Sequence, residues 1–340
     1  MPSSGNAATK RMADPAKPIS VAVWRYDRTQ ALFDGRVAVK GYAARFVDAP
    51  LEDIFSRAFE RQEFDASELS FSNYLRLTVA GSCPYVGIPI FPSRSFRHGA
   101  FYVRSDGSVR SADDLIGRRV GDREFSMTAA LAARGALRDG FGIDTNRIEW
   151  IVGDVDEVER SAIPLPNLFR DLKIQALPVG RLLSDMLLEG EIDAILAYKP
   201  IRPFKKGDRR VRRLFEDHVA IEKDYFARTR VFPIMHLMAV RRDHAESGPG
   251  LALAVYDAFV EAQRLAMEDL HLEQALKIAL PWLSAEVQRT AQIMGEDFWP
   301  NGLSANRAVL ARMIAWSFAD GLIPRAPEPE ELFLPALHAT

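Results

Sequence analysis

Two arginines and a histidine, Arg94, Arg97 and His98, fall within five residues of one another, beside Ser93 and Ser95. A guanidinium grips a carboxylate in a two-point fork, and an imidazole exchanges protons near neutral pH. The segment has the makings of a site for a small acidic molecule, and of chemistry on that molecule. A proline-bounded apolar run from Ile88 precedes it and a strand-like run, Ala100 to Val103, follows it. Both hem the arginines in, although solvated loop arginines are the plain alternative.

Other groups belong with this cluster. His236 lies in the apolar run FPIMHLMAVR, and His98 and His236 are the acid and base candidates. An imidazole in an apolar strand is otherwise a satisfied core residue. Glu68 sits in the apolar, hydroxyl-rich run SELSFSN; if buried, such a carboxyl rises towards about 6–7 and suits a proton donor. Its alternative is to tie down a neighbouring arginine. Arg28, with Thr29 beside it, follows the first strand at the edge where open α/β sheets take ligands. Ser126 and Thr128 stand at the expected start of a helix, where free N–H groups and the dipole favour an anion, or where one of them simply caps the helix. Trp299, next to Phe298, offers a stacking wall or a core contact. Glu68, His98 and His236 have the donors for a two-His, one-carboxylate metal site, yet no HxH or HExxH spacing is present, and the expectation is no metal. His218, His244, His271 and His338 lie in polar surroundings and are assigned no role.

The elements that must hold these groups follow from the apolar pattern. Ile19–Trp24 is the expected first strand, and Val37–Val47 a second, broken by Gly41. Pro50–Arg61 has helical spacing, Asp65–Leu69 is a short strand or turn, and Ser72–Ala80 a helix. A second unit opens with Ser111 as helix cap and Gly117 as stop. It continues through a strand at Arg118–Gly121, a helix to about Arg138, a strand at Ile148–Val152, a connector over residues 161–178, a helix at Gly180–Leu188 and a buried strand at Ile192–Ala197. Beyond the strand Phe232–Arg241 the spacing predicts helices at Leu251–Met267, Leu272–Ala279, Ala285–Met294 and Ala305–Phe318. Strands alternating with helices mark a doubly wound α/β sheet.

At 340 residues the chain exceeds what one core usually serves, so two lobes are expected. Residues 1–18 read as a disordered leader, 19–104 with 231–340 as a discontinuous first lobe completed by the C-terminal helices, and 105–230 as the second. Ala100–Arg104 and Phe232–Val240 would be the crossovers. A net charge of −2 argues against a nucleic-acid or membrane partner through a global field. Cys83 is the only cysteine, which excludes an internal disulfide. No run approaches the ~20 apolar residues of a membrane span, and the leader lacks an apolar signal core, so a cytoplasmic protein is expected. The C-terminal helices are open to either first-lobe packing or a homo-oligomer contact.

This order of units, with SADDLIGRRVGD and LLEGEIDAILA in its middle, resembles the type II periplasmic-binding-protein fold. More specific phrases, YDRTQALFDGRV, SELSFSNYL, IPIFPSRSFRH, FPIMH and GEDFWPNG, resemble the 4,5-dihydroxyphthalate decarboxylase family and span Tyr26 to Gly302. Asn301 departs from the aromatic residue expected after the Trp-Pro pair, and Phe318-Ala319-Asp320-Gly321 replaces a Glu-Gln-Gly ending. The resemblance implies non-oxidative loss of CO2 from a hydroxylated phthalate-type acid, 4,5-dihydroxyphthalate to protocatechuate or a close analogue, with no cofactor. It implies a general acid over the ring carbon, a clamp for the acid group that stays (Arg94 and Arg97), and phenolic contacts from Ser72 and Asn73. The competing reading is a solute-binding protein of the same fold that holds an aromatic or other carboxylate without catalysis.

Overall fold

The computed structural model describes residues 17–158 and 167–340, and residues 1–16 of the expected leader lie outside them. Among the described residues eleven strands form two sheets. They are β1 (Lys17–Ala22), β2 (Tyr42–Val47), β3 (Ala66–Ser70), β4 (Tyr85–Arg94), β5 (Phe101–Arg104), β6 (Arg119–Asp122), β7 (Glu149–Val152), β8 (Ile174–Ala176), β9 (Ala194–Leu196), β10 (Val211–Arg213) and β11 (Ile234–Arg241). The first sheet has the order β2-β1-β3-β11-β4 and the second β10-β5-β9-β6-β7-β8. In the first, β1, β2 and β3 run parallel, and β11 returns antiparallel between β3 and β4.

The chain passes from one sheet to the other through residues 95–100 and comes back through 230–233. The two crossovers touch: Ser95 N–H donates to the Pro233 carbonyl at 3.1 Å, and the rings of Phe96 and Phe232 stack 4.7 Å apart. Strand β5, grouped above with the first lobe, pairs with β9 and β10 in the second sheet. The expected connector over residues 161–178 includes β8, which hydrogen-bonds to β7; residues 161–166 of it are outside the described set.

Proline shapes β4. Pro89 and Pro92 cannot donate to a ladder, and β4 lies at the sheet edge. Its register with β11 slips on both sides of His236. Such irregularities re-aim a side chain, and here that side chain is the imidazole.

Two corrections concern helices. Residues 272–279 form none, and Leu276 and Leu280 are exposed: eight residues with nothing to bury their apolar side do not repay nucleation. Ser111 does not open a helix either; a short 3-10 turn at Asp113–Leu115 stands there.

One apolar core crosses both lobes. The helix Thr128–Phe141 of the second lobe packs on the C-terminal helix Leu303–Ala319, and Gly135 leaves room for the Trp316 indole where a Cβ would collide with it. Beside that contact the wholly buried Arg134 bonds Asp320 at 2.8 Å, Asp122 at 3.1 Å and the Phe125 carbonyl at 2.6 Å, stacked over the Phe125 ring. Arg138 adds a second cation to Asp320 at 2.5 Å. The C-terminal helix therefore straps the second lobe as well as the first. Arg134→Ala would leave two buried carboxylates short of a partner, so urea denaturation should show a loss of about 3–5 kcal/mol; a change under about 1 kcal/mol would mean that the network does not hold the lobes.

Candidate functional site

Glu68 is the centre of the site. Strand β3 is buried throughout, and its carboxylate, with no exposed surface, still finds three donors. They are the Trp24 N–H at 3.0 Å, the Tyr26 hydroxyl at 2.7 Å and His236 Nδ1 at 2.6 Å. The Trp24 N–H and the Tyr26 hydroxyl donate to it, and an ionised Glu68 assigns the proton of the third contact to Nδ1. The other ring nitrogen, Nε2, makes no hydrogen bond to protein. The imidazole keeps 14% of its side-chain surface, with the Phe55 ring edge-on at 5.0 Å. Its Nε2 can take or give a proton to a bound molecule.

Tyr26 was not singled out in the sequence. Burial and the adjacent Glu68 carboxylate push its phenol far above its ordinary value, so it remains a donor. Arg28 lies between two rings, 4.0 Å over Tyr26 and 4.4 Å over Trp299, with Nε on the Pro92 carbonyl at 2.6 Å and Nη1 on Asp27 at 2.9 Å. Burial lowers its pKa. Trp299 thus serves as a wall on the arginine; its indole N–H donates to the Phe91 carbonyl at 2.9 Å.

The second lobe meets this cluster through Thr128. Its hydroxyl lies 3.0 Å from Ser70 Oγ, and the Ser72 N–H donates to it at 3.0 Å. Ser70 is the register partner of His236, so the helix Thr128–Phe141 begins beside the imidazole. Its first N–H groups have no carbonyl within the helix. The residue at the cap is Met127, without a side-chain bond, rather than Ser126 or Thr128. Ser72 Oγ is buried with no partner.

Several expected site residues are spent elsewhere. The Thr29 hydroxyl bonds the Trp24 and Tyr26 carbonyls at 2.9 and 3.2 Å. Ser126 donates to Glu124 at 2.9 Å, and Asn73 accepts from Arg76 at 3.2 Å. Arg94 braces the carbonyls of Phe232 (3.1 Å) and Pro300 (2.9 Å) and the amide of Asn306, and burial lowers it to about 9. His98 shares no partner with His236. It is 2% exposed and ringed by Tyr225, Phe141 and Phe215, with Glu222 at 3.9 Å and both ring nitrogens without hydrogen bonds. Among the described residues Glu68, His98 and His236 do not assemble into a metal site, nor does any other trio of His, Cys, Asp and Glu. Arg97 makes no side-chain hydrogen bond; its Nε, like that of Arg94, is buried without a partner, and burial lowers its pKa.

Burial also pulls His98 down to about 4, with His218 and Arg228 adding to the effect, against 6.5 when unfolded. The unfolded chain thus binds more protons between these values, so the contribution is full above pH 6.5 and lost as pH falls towards 4. It is worth about 3 kcal/mol. The difference in Tm between His98→Leu and the parent should therefore shift in favour of the variant as pH drops from 7 to 4; a difference that does not change with pH would contradict this placement.

No family model matches the chain. It is 36% identical over 321 residues to a 4,5-dihydroxyphthalate decarboxylase of Comamonas testosteroni, covering 94% of this chain and 96% of that protein. It is 35% identical over 208 residues to a protein of the same name from Pseudomonas putida, covering 61% and 81%. Among solved structures, the periplasmic aliphatic sulphonate binding protein SsuA of Escherichia coli superposes with a TM-score of 0.52 at 14% identity, over 96% of this chain and 100% of its own. A mutant of the desulfurization enzyme DSZB, in complex with biphenyl-2-sulfinic acid, gives 0.54 at 14%, over 96% and 98%. These likenesses show the fold, a two-lobed type II periplasmic-binding-protein-like architecture with C-terminal helices.

Proposed function

The chain belongs to the 4,5-dihydroxyphthalate decarboxylase family, and from that premise we propose that it is a carboxy-lyase that removes CO2 from a hydroxylated phthalate-type acid with His236 as proton donor. The observation that carries the assignment of roles is the Glu68–His236 pair, held on the adjacent inner strands β3 and β11 of the first sheet with Nε2 free.

The chemical obstacle is the aryl carbanion that direct loss of CO2 would leave. In 4,5-dihydroxyphthalate each carboxylate is para to a hydroxyl. The phenolic oxygen pushes electrons into the ring, the carboxylate-bearing carbon takes a proton from Nε2 of the protonated imidazole, and a C–H bond forms. The C–C bond to the carboxylate then breaks, its electron pair restores the aromatic ring, and CO2 departs. One proton is consumed and no electron is gained or lost. Glu68 fixes the ring orientation and stabilises the imidazolium, so it is a positioning residue rather than the donor. Ser72 Oγ and the start of the helix Thr128–Phe141 offer donors to phenolic oxygens. Arg28 and Trp299 form a flat cationic wall beside the ring.

The proposal keeps the enzyme in the cytoplasm; no helix among the described residues is long and apolar enough to cross a membrane. The competing solute-binding reading leaves the imidazole without a task. CO2 release from a panel of hydroxylated aromatic acids separates the two. We expect 4,5-dihydroxyphthalate to yield one CO2 and protocatechuate without added cofactor, and His236→Ala to lose about 10²- to 10⁴-fold in kcat. Tight binding with no CO2 from any panel member would favour the binding protein, and wild-type kcat in His236→Ala would remove the imidazole from the chemistry.

A further inference from the structure

Glu68 is left in difficulty once the imidazole acts. Its carboxylate has no exposed surface, and in the state from which His236 gives its proton it is paired with an imidazolium at 2.6 Å. When Nε2 passes its proton to the ring carbon, the imidazole becomes neutral. A buried carboxylate then has no counter-charge, which is strongly disfavoured away from water. A proton reaching Glu68 at the same moment removes the penalty. Of its two remaining donors, the Trp24 N–H is a backbone amide and keeps its hydrogen. The Tyr26 hydroxyl, at 2.7 Å, can deliver one.

A proton can come that way only if a further group stands behind Tyr26. Ser93 of β4 is the register partner of His236 on one side, and Ser70 of β3 is its partner on the other. Ser70 Oγ is occupied by the Thr128 hydroxyl at 3.0 Å. Ser93 is half-buried, and among the described residues its hydroxyl makes no hydrogen bond to a carbonyl or a carboxylate. Ser67 and Ser95, by contrast, donate to the carbonyls of Glu68 and Phe96, each at 3.0 Å. The polar neighbour of Ser93 is the Tyr26 phenol, towards which it acts as a donor, working against the rise in pKa that burial and Glu68 cause. The adjacent Pro92 carbonyl accepts from Arg28 at 2.6 Å, and Arg28 covers the Tyr26 ring at 4.0 Å. Ser93 thus lies where β4, the turn after β1 and the imidazole meet. A serine that donates to a phenol still has lone pairs to offer. A hydrogen-bond chain that ends on a buried carboxylate is polarised towards it, so the first oxygen of the chain is a stronger acceptor.

We propose, on the decarboxylase reading, that Ser93 accepts the phenolic O–H of the substrate and that Ser93, Tyr26 and Glu68 carry its proton away and return it within each turnover. The imidazolium Nε2–H bond breaks as the C–H bond forms at the carboxylate-bearing carbon. With it the phenolic O–H breaks: its proton goes to Ser93 Oγ, the Ser93 proton to Tyr26, and the Tyr26 proton to Glu68. The ring is then a dienone, and Glu68 and the imidazole are both neutral. The C–C bond to the carboxylate breaks next. Its electron pair restores the aromatic ring and leaves an oxyanion at the phenolic oxygen, and CO2 departs. The three relayed protons shift back, so the oxygen regains its hydrogen and Glu68 its charge. The only proton consumed is the one His236 gave, and no electron is gained or lost. The carboxylate that positions the proton donor therefore also draws on the hydroxyl that pushes electrons into the ring.

The test follows CO2 release by the full chain from 4,5-dihydroxyphthalate and from its 3,6-difluoro analogue, whose more acidic hydroxyls need less help to ionise. Ser93→Ala should lose about 10²-fold in kcat on the parent acid, and the loss should shrink by about threefold or more on the fluorinated one. Ser93→Thr keeps a hydroxyl and should stay within about fivefold of wild type. Tyr26→Phe breaks the relay behind Ser93 and should show the same dependence on the acidity of the hydroxyl. Wild-type kcat in Ser93→Ala would overturn the inference. So would an equal loss on both acids in that variant, which is what a merely structural role gives. Failure of the decarboxylase reading would show instead as no CO2 from either acid with the wild-type chain.

Discussion

A single buried carboxylate organises the first lobe. Taking Glu68 out of water costs several kcal/mol unless donors replace the hydration it gives up. Three do, and each comes from a different part of the chain: the turn after β1 gives a backbone N–H and a phenol, and β11, far along the sequence, gives the imidazole. Because the charge is satisfied only when all three are present, the turn Trp24–Tyr26 is pinned to the central strand β3. That turn carries Arg28, so the cationic wall is fixed by the same anion. The slipped register around His236 completes the arrangement by turning the ring towards β3 rather than along the regular ladder.

The second lobe is held against this site at two levels. Near the site the contact is polar and small, the Thr128 hydroxyl between Ser70 and the Ser72 N–H. Behind it the contact is extensive: Arg134 and Arg138 tie the second-lobe helix to Asp320 on the C-terminal helix, and the apolar core is continuous across the boundary. Besides the two crossovers, the lobes here share this third connection. Proton transfer to a ring carbon needs the donor, the ring and the charge-bearing groups fixed together, and a strapped pair of lobes supplies that fixity.

How much of this was legible in the sequence depends on whether a residue's neighbours are local. Glu68 and His236 stood out because a charged and a titratable group interrupted apolar runs, and burial made that interruption meaningful. The alternating pattern of strands and helices likewise reflects local periodicity, and it gave the two-sheet α/β architecture. Arg94 and Arg97 looked alike on one loop; what separates them is that one reaches the carbonyls of Phe232 and Pro300, 138 and 206 residues away, and the other reaches nothing. His98 lay beside an arginine, yet its ring turns into an aromatic box built by residues 141, 215 and 225. Tyr26 was hidden because a tyrosine in a polar turn has no pattern of its own. Strand β8, only three residues long, was too short to show a period.

The two departures from the family pattern find their explanation in the scaffold. Asn301 accepts from the Phe91 N–H at 2.9 Å and donates to Gln263 at 2.8 Å, joining β4 to the helix Gly250–Leu270. An amide does this with one acceptor and one donor, and no aromatic ring offers that pair of bonds. Asp320 is the acid shared by Arg134 and Arg138. Asn301 therefore ties the C-terminal segment within the first lobe and Asp320 ties it to the second, while Glu68, His236, Tyr26 and Arg28 have their bonds elsewhere. A change that alters the strap without touching the groups around the ring alters stability before it alters which acid is bound, so the departures bear on the frame of the site rather than on the identity of its substrate.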